Sequence, residues 1–293
     1  MDLVERLNAL AERARARTEE RRRAAPARVV RLPIWPEDVR TGPSCVLRSA
    51  LFGVVRRGRR QYLQNQVVAA WADNVIRYTG IRLDQADLDV WLTALHLSRE
   101  QELGARVICS ERAFLRAMGR KTGNKEWLRI ALERLTACVV KITRQQQTYW
   151  GSLIEKGCRD EKTGEFVIVL NPELAELFDD VTWQDWEIRR GLEGDLAKWL
   201  QGYIASHQAT ARNPHRLGLE RLRELCGSET EDLWKFRQQV RTAMHALENA
   251  GVVAAWRITP GDALEVVRPT RPRNLIAGHH LPRDSRRGVD HSR

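Results

Sequence analysis

The sequence has no apolar run long enough to cross a membrane. A membrane-spanning helix needs about 20 consecutive, mostly apolar residues, but charged residues make up 30% of this 293-residue chain and interrupt every apolar stretch. The first 28 residues are rich in arginine and have no apolar core of the kind found in secretory signals. We therefore expect a protein with no membrane partner.

Cysteine is scarce and scattered. The five cysteines include no CxxC pair, and their number is odd. This pattern argues against a disulfide framework and against a zinc ribbon. We expect a reduced, cytoplasmic protein that uses no cofactor.

Motifs that identify an enzyme are also missing. No GxxxxGK[ST] loop is present, which argues against a phosphate-loop ATPase, and no nucleophile stands at a recognisable spacing from a base. The segment GHH at 278–280 has some likeness to the His-x-His metal site of DNA-nicking enzymes, but its surroundings are polar and irregular and hold no tyrosine. Most of the ten tryptophans fall at core spacing, so we assign them to packing. The sequence predicts a protein that is not an enzyme.

Positive charge is plentiful but uneven. The net charge is +11, and the end segments 1–28 and 269–293 contribute +3 and +4 of it. Residues 104–170 hold 13 Lys and Arg against 7 Asp and Glu, whereas residues 171–268 hold 12 against 16. Basic end segments favour a polyanionic partner such as nucleic acid, although many proteins without such a partner also have them.

The first half of the chain begins with a basic arm and a proline-rich linker. Residues 45–58 place apolar side chains at helical spacing, and the RRGRR run at 56–60 is either a solvated helix end or a phosphate contact. Further along, the pattern predicts a helix at 83–100, a strand near 105–110, helices at 111–118 and 124–136, and then two or three strands. A hairpin turn at 160–165 and a short helix at 171–178 follow.

The second half repeats this plan. We predict helices at 195–207, 216–227 and 229–250, followed by a hairpin at 252–269 that turns at Pro260-Gly261-Asp262. In each half a helix ends at a glycine, Gly119 or Gly227, and these glycines are 108 residues apart. Helix, tight turn, helix and β-hairpin is the order of a winged helix.

The predicted fold is therefore α+β and mainly helical, with two tandem winged-helix domains. We place the domains at 31–178 and 179–270, between a basic N-terminal arm at 1–30 and a flexible basic tail at 271–293.

The helix predicted at 229–250 has a well-marked start and one apolar side. Ser228 and Glu231 have the spacing of a capping box. Advancing about 100° per residue puts six apolar residues on one side: Leu233, Phe236, Val240, Ala243, Met244 and Leu247. This side is expected to face a core.

The opposite side is free of acid between Lys235 and His245. A helix in the DNA major groove needs such a face, because Arg and Lys reach guanine and Gln reaches adenine. A merely solvated face is the alternative, and the acids Glu229, Glu231 and Asp232 in the first turn would repel phosphates. We predict these DNA-contacting residues in the second domain: Lys235, Arg237, Gln238, Arg241, Thr242, His245 and Arg257.

The first domain has a smaller basic set at its own turn. Arg120, Lys121, Lys125 and Arg129 lie at or just after the predicted turn. We predict that they contact backbone phosphates; a basic loop with no DNA-binding role is the alternative.

Four long blocks of the sequence carry a family resemblance. Residues 31–63, 78–91, 159–178 and 226–251 resemble the TrfA-type replication initiators of broad-host-range plasmids, and the similarity covers roughly residues 31 to 268. The resemblance implies two winged-helix domains that bind direct repeats, called iterons, at a plasmid origin. It further implies opening of an adjacent A·T-rich segment.

The resemblance also implies the protein's partners. These are double-stranded origin DNA, the host replicative helicase with its loading and initiator proteins, the sliding clamp, and a second copy in a monomer–dimer equilibrium. Clamp-binding peptides in such initiators have the form Gln-x-x-Leu-Phe, and the nearest stretch here, QADLDVW at 85–91, lacks the phenylalanine. Three other functions stay open from the residues alone: a two-module transcriptional repressor, a DNA nickase and a protein adaptor.

Overall fold

The computed structural model describes residues 32–270, except positions 33, 57, 59, 73, 103, 145, 146 and 161. The predicted arm at 1–30, the tail from 271 and the histidines of the GHH segment lie outside the described residues. The helices are α1 (Ser44–Leu47), α2 (Gln85–Ser98), α3 (Glu111–Ala117), α4 (Lys125–Ala137), α5 (Trp186–Gly191), α6 (Asp195–Ala205), α7 (Leu219–Leu225) and α8 (Leu233–Asn249). Two 3-10 helices are at Thr122–Asn124 and Pro172–Asp179.

Strands alternate with these helices along the chain. They are β1 (Val39–Pro43), β2 (Phe52–Gly53), β3 (Tyr62–Val68), β4 (Val75–Ile81), β5 (Leu83–Asp84), β6 (Arg106–Ser110), β7 (Val139–Arg144), β8 (Gln147–Gly151), β9 (Ile154–Arg159), β10 (Glu165–Leu170), β11 (Val181–Asp185), β12 (His215–Gly218), β13 (Ala255–Ile258) and β14 (Ala263–Val267). Strands account for about 31% of the described residues. The chain is therefore α+β, and the expectation of a mainly helical protein is not confirmed.

The strands form small, mostly antiparallel sheets. A four-stranded sheet has the order β3-β4-β7-β8, and two three-stranded sheets have the orders β6-β10-β9 and β12-β14-β13. β1 pairs with β11 and β2 with β5. The β12-β14-β13 sheet contains the hairpin that the sequence predicts at 252–269.

Two hydrophobic clusters hold the chain together. The first gathers residues from Leu32 to Phe178 around α2, whose Val90, Trp91 and Leu95 are fully buried. The second gathers residues from Leu192 to Val266 around α8. Burying each large apolar side chain stabilises the fold by roughly 1.5–3 kcal/mol, so each cluster is a substantial core. We call residues 32–178 the first unit and residues 179–270 the second unit.

The two units are joined by buried polar contacts. Asp89 of α2 accepts from Arg189 Nε at 2.6 Å and from Lys198 Nζ at 2.7 Å, and the Arg189 side chain is completely buried. Arg189 also donates to Gln85 Oε1 at 2.9 Å. In addition, Trp71 from the first unit packs against the second cluster. These contacts fix the units relative to one another.

Several predicted elements are confirmed. The helix predicted at 83–100 is α2. Its N-terminus has a capping box: the Asp84 carboxylate accepts from the backbone N–H groups of Ala86 and Asp87, and the Asp87 carboxylate accepts from the Asp84 N–H. The helices predicted at 111–118, 124–136 and 195–207 are α3, α4 and α6, with ends shifted by one or two residues. Gly119 ends α3 in the left-handed region, at φ +69°.

Other elements differ from the prediction. Among the described residues of 45–58, the only helix and strand are the short α1 and β2. Val54 N–H donates to Cys226 O across the unit boundary at 2.7 Å. Their apolar spacing reflects burial on all sides rather than one helix face. Strand β12 replaces the start of the helix predicted at 216–227. Of the RRGRR run, Arg60 forms ion pairs with Asp84 and Asp87 instead of being free for phosphate.

Candidate nucleic-acid interface

The second unit presents a helix, a turn and a longer helix, followed by a hairpin. α7 ends just before Gly227, which adopts φ +61°. α8 begins at Leu233, with Asp232 at the N-cap position and no side-chain cap. The predicted capping box of Ser228 and Glu231 is therefore wrong. The helix starts five residues after Ser228, whose Oγ accepts from the Thr230 N–H within the turn instead.

The predicted core side of α8 is confirmed. Phe236, Val240, Met244 and Leu247 are fully buried, and Ala243 is 5% exposed. Leu233 is partly buried against the same cluster. This side anchors α8 in the second unit and fixes which side chains point outward.

The opposite side of α8 is exposed, as predicted. Gln238, Arg241 and Thr242 are exposed, and the side chains of Lys235 and His245 are 56% and 66% exposed. Arg241 Nη1 lies 3.5 Å from Gln238 Oε1, so the two form one polar surface. We call Lys235, Gln238, Arg241, Thr242 and His245 the α8 face.

The acids before α8 are largely paired within the protein. Asp232 contacts Lys235 Nζ at 2.6 Å, and Glu229 forms an ion pair with Arg82 from the first unit. Arg82 also donates to Gly227 O and so holds the turn in place. This pairing offsets the repulsion of phosphates that the sequence alone suggests. Arg82 and Glu229 are 147 positions apart, so no local pattern could predict the contact.

The hairpin of β13 and β14 is tied to α8. Arg237 Nη1 contacts Asp262 Oδ1 at 2.9 Å, and its side chain is only 28% exposed. Arg237 therefore positions the hairpin and is less available for DNA than predicted. Arg257 on β13 is 74% exposed and donates to Glu265 at 2.6 Å. Beside it, the Trp256 ring lies 4.9 Å from that of His245.

The first unit brings its predicted basic residues together at the turn between α3 and α4, but two of them are internally paired. Glu111, which is buried, contacts Arg129 Nε at 2.8 Å and Lys125 Nζ at 3.5 Å. Burial by itself raises the pKa of Glu111, but hydrogen bonds from Arg129 and Arg159 outweigh it and lower the pKa below its usual value. Glu111 is thus a charged anchor that sequence reasoning missed. Of the other two predicted residues, Arg120 is half-buried and stacks on Trp127, 4.0 Å from the ring centre, whereas Lys121 is exposed.

The described part of the chain has neither a metal-binding cluster nor a membrane-spanning helix. Among these residues no group of three or more His, Cys, Asp or Glu is placed to hold a metal ion. Within the same residues no helix is both long and apolar enough to span a membrane.

The stretch nearest to a clamp-binding peptide is inside α2. Gln85, Leu88 and Trp91 are all buried, so their side chains are not displayed to a partner. The tryptophans that the sequence assigns to packing are only partly buried as a set. Trp35, Trp91, Trp186 and Trp199 are buried, whereas Trp150 and Trp234 are 69% and 64% exposed.

Among solved structures, domains 2 and 3 of RctB show a similar fold. The chain aligns with domains 2 and 3 of RctB at TM-score 0.52 and 12% identity, covering 78% of this chain and 98% of that one. It also aligns with the Pi initiator protein, solved in complex with iteron DNA, at TM-score 0.48 and 10% identity, covering 62% and 92%.

Comparison with known sequences gives the family. The plasmid replication initiator protein TrfA of Escherichia coli is 29% identical over 239 residues, which cover 76% of this chain and 60% of the relative. The chain thus spans less than two thirds of that protein's length. The family model described as TrfA protein matches residues 14–263, most of the sequence. The chain therefore belongs to the TrfA family.

Proposed function

We propose that this chain is a plasmid replication initiator that binds direct repeats at its plasmid origin by placing α8 in the major groove. The α8 face carries the proposal: it is exposed and acid-free from Lys235 to His245, although the surrounding segment is net acidic. Membership of the TrfA family and a relative named as a plasmid replication initiator support the biological role.

The chemistry of the α8 face suits base edges. Arg and Lys donate to guanine O6 and N7, Gln pairs with adenine N6 and N7, and Thr meets the thymine methyl group. The buried side of α8 locks its rotation, so these side chains are presented together. Arg257 on the adjoining hairpin would contact the backbone beside the groove.

We also propose that both units are winged-helix domains, divided near residue 178. The elements β6, α3, α4 and the strands after them repeat in the order of β12, α7, α8 and the β13–β14 hairpin. The two separate hydrophobic clusters support this division. Arg120 and Lys121 of the first unit would add phosphate contacts.

The proposal extends to the steps after DNA binding. We propose that the bound protein promotes opening of an A·T-rich segment, brings in the host helicase with its loading proteins, and acts without catalytic chemistry of its own. A permanganate footprint on supercoiled origin plasmid would detect the opened strands. Uncut plasmid after incubation with a divalent metal is the expected result, and nicked plasmid would contradict the non-enzymatic role.

Replacing one side chain of the α8 face tests the proposal. Arg241→Ala should weaken binding to the origin repeat by about 1–3 kcal/mol and relax the preference at one base pair. Fluorescence anisotropy with repeat and scrambled duplexes measures both effects. A variant that binds the two duplexes as the wild type does would show that α8 is not the reading helix.

A further inference from the structure

An exposed tryptophan stands at the start of the α8 face. Trp234 is 64% exposed, whereas Trp91, Trp186 and Trp199 are 0–3% exposed. An indole is a large apolar group that proteins normally bury at least in part. Its position in the first turn of α8 therefore needs a reason other than packing.

Trp234 belongs to the same stripe as the proposed base-reading residues. Gln238, Arg241 and His245 follow it by four, seven and eleven positions, spacings that keep side chains on one side of a helix. All four are exposed. Trp234 is the member nearest the N-terminal end of α8, and in helix-turn-helix proteins the N-terminal residues of the reading helix contact base edges.

The immediate surroundings of the indole suit an uncharged contact. The Lys235 ammonium lies 5.7 Å from the ring centre and is also paired with Asp232 at 2.6 Å. The positive charge beside the ring is thus partly satisfied within the protein. The ring is left as an apolar surface at the edge of the α8 face.

Base edges in the major groove offer few apolar groups, and the 5-methyl group of thymine is the prominent one. We infer that Trp234 is a specificity-determining residue that packs on a thymine methyl group at one end of each origin repeat. This inference rests on the proposed function, because it requires α8 to lie in the major groove. It adds an apolar contact to the hydrogen-bonding residues already assigned.

Replacing single thymines by deoxyuridine removes the methyl group and leaves base pairing unchanged. Using a duplex with one copy of the repeat from the chain's own plasmid origin, each thymine is exchanged in turn and binding is measured by anisotropy. For the wild type, we expect one or two neighbouring positions to lose about fourfold in affinity, the effect of exposing one methyl-sized group. In Trp234→Ala, the same exchange should leave the affinity unchanged.

Two further variants control the experiment. Trp150→Ala removes the other highly exposed tryptophan, which lies on β8 of the first unit, and should keep the fourfold sensitivity. Trp234→Phe keeps an aromatic ring and should keep part of the sensitivity to thymine exchange. Circular dichroism verifies that the variants are folded.

The outcomes separate the inference from the proposed function. The inference is overturned if Trp234→Ala keeps the wild-type sensitivity to thymine exchange, or if no thymine is sensitive in the wild type. Neither result contradicts the proposed binding of the repeat. A wild type that does not distinguish the repeat from scrambled DNA rejects both. A Trp234→Ala defect seen only on duplexes with two repeats would assign the indole to contact between copies and overturn the inference as well.

Discussion

In each unit the helix after the glycine turn, α4 or α8, occupies an equivalent place but presents a different surface. Shifting α4 by 108 residues, the spacing between Gly119 and Gly227, aligns the buried sides of the two helices. The buried residues of α4 and α8 then pair as Leu128 with Phe236, Leu132 with Val240, and Leu135 with Ala243. The exposed positions differ in residue type. In order along the helix, α8 has Trp234, Gln238, Arg241 and His245 where α4 has Glu126, Ile130, Glu133 and Ala137. The same scaffold thus carries a surface suited to base edges in one unit and an acidic, apolar surface in the other.

Net charge alone would have assigned the base-reading surface to the first unit rather than the second. Residues 104–170 have a net charge of +6 and residues 171–268 a net charge of −4, yet the acid-free helix face lies in the second segment. In the first unit, Lys125 and Arg129 are paired with Glu111. In the second, Asp232 and Glu229 are paired with Lys235 and Arg82. Which charges are paired internally therefore matters more than their sum.

Breaking the link between the units should have the largest effect. Asp89→Ala leaves the buried Arg189 without its carboxylate partner, and we expect the free energy of unfolding to fall by about 3–5 kcal/mol. Urea denaturation followed by circular dichroism measures the change. Glu187→Ala, which removes an exposed partner of Arg190, should cost less than about 1 kcal/mol. Equal effects of the two substitutions would mean that the link does not hold the units together.

Exchanging residues between α4 and α8 tests their functional difference directly. Arg241→Glu gives α8 the residue type found at the equivalent α4 position. It should lower affinity for the repeat at least about 100-fold, because a base contact is lost and a negative charge faces the phosphates. The reverse change, Glu133→Arg, should alter repeat affinity less than about threefold in the same anisotropy assay. Comparable effects at both positions would indicate that both helices enter the groove.

The smallest effect is expected at the turn of the first unit. Lys121→Ala should weaken binding to repeat and scrambled duplexes by the same factor, because a phosphate contact carries no base information. The slope of log affinity against log salt concentration should become shallower by about 1. Lys121→Arg should restore both, whereas a loss confined to the repeat would assign Lys121 a base contact.

The sequence predicted the elements that depend on local pattern. Apolar residues at helical spacing gave α2, α4, α6 and the core side of α8, and Pro260-Gly261-Asp262 gave the last hairpin. The prediction failed at 45–58, where side chains are buried on every side and spacing no longer identifies a helix. It also missed β3 and β4. Tyr62, Val67 and Val75 are apolar but exposed, so these strands do not show the alternation of apolar and polar residues expected for a half-buried sheet.

By itself, the sequence determined that α8 has one apolar and one acid-free side, because 3.6-residue periodicity is set by the residues of the helix alone. It also determined the family, through long blocks of similar residues. Only the tertiary structure decided which charges remain available. Arg82 reaches Glu229 across 147 positions and Arg129 reaches Glu111 between two helices. Such pairings depend on how distant segments fold together, and local spacing carries no record of them.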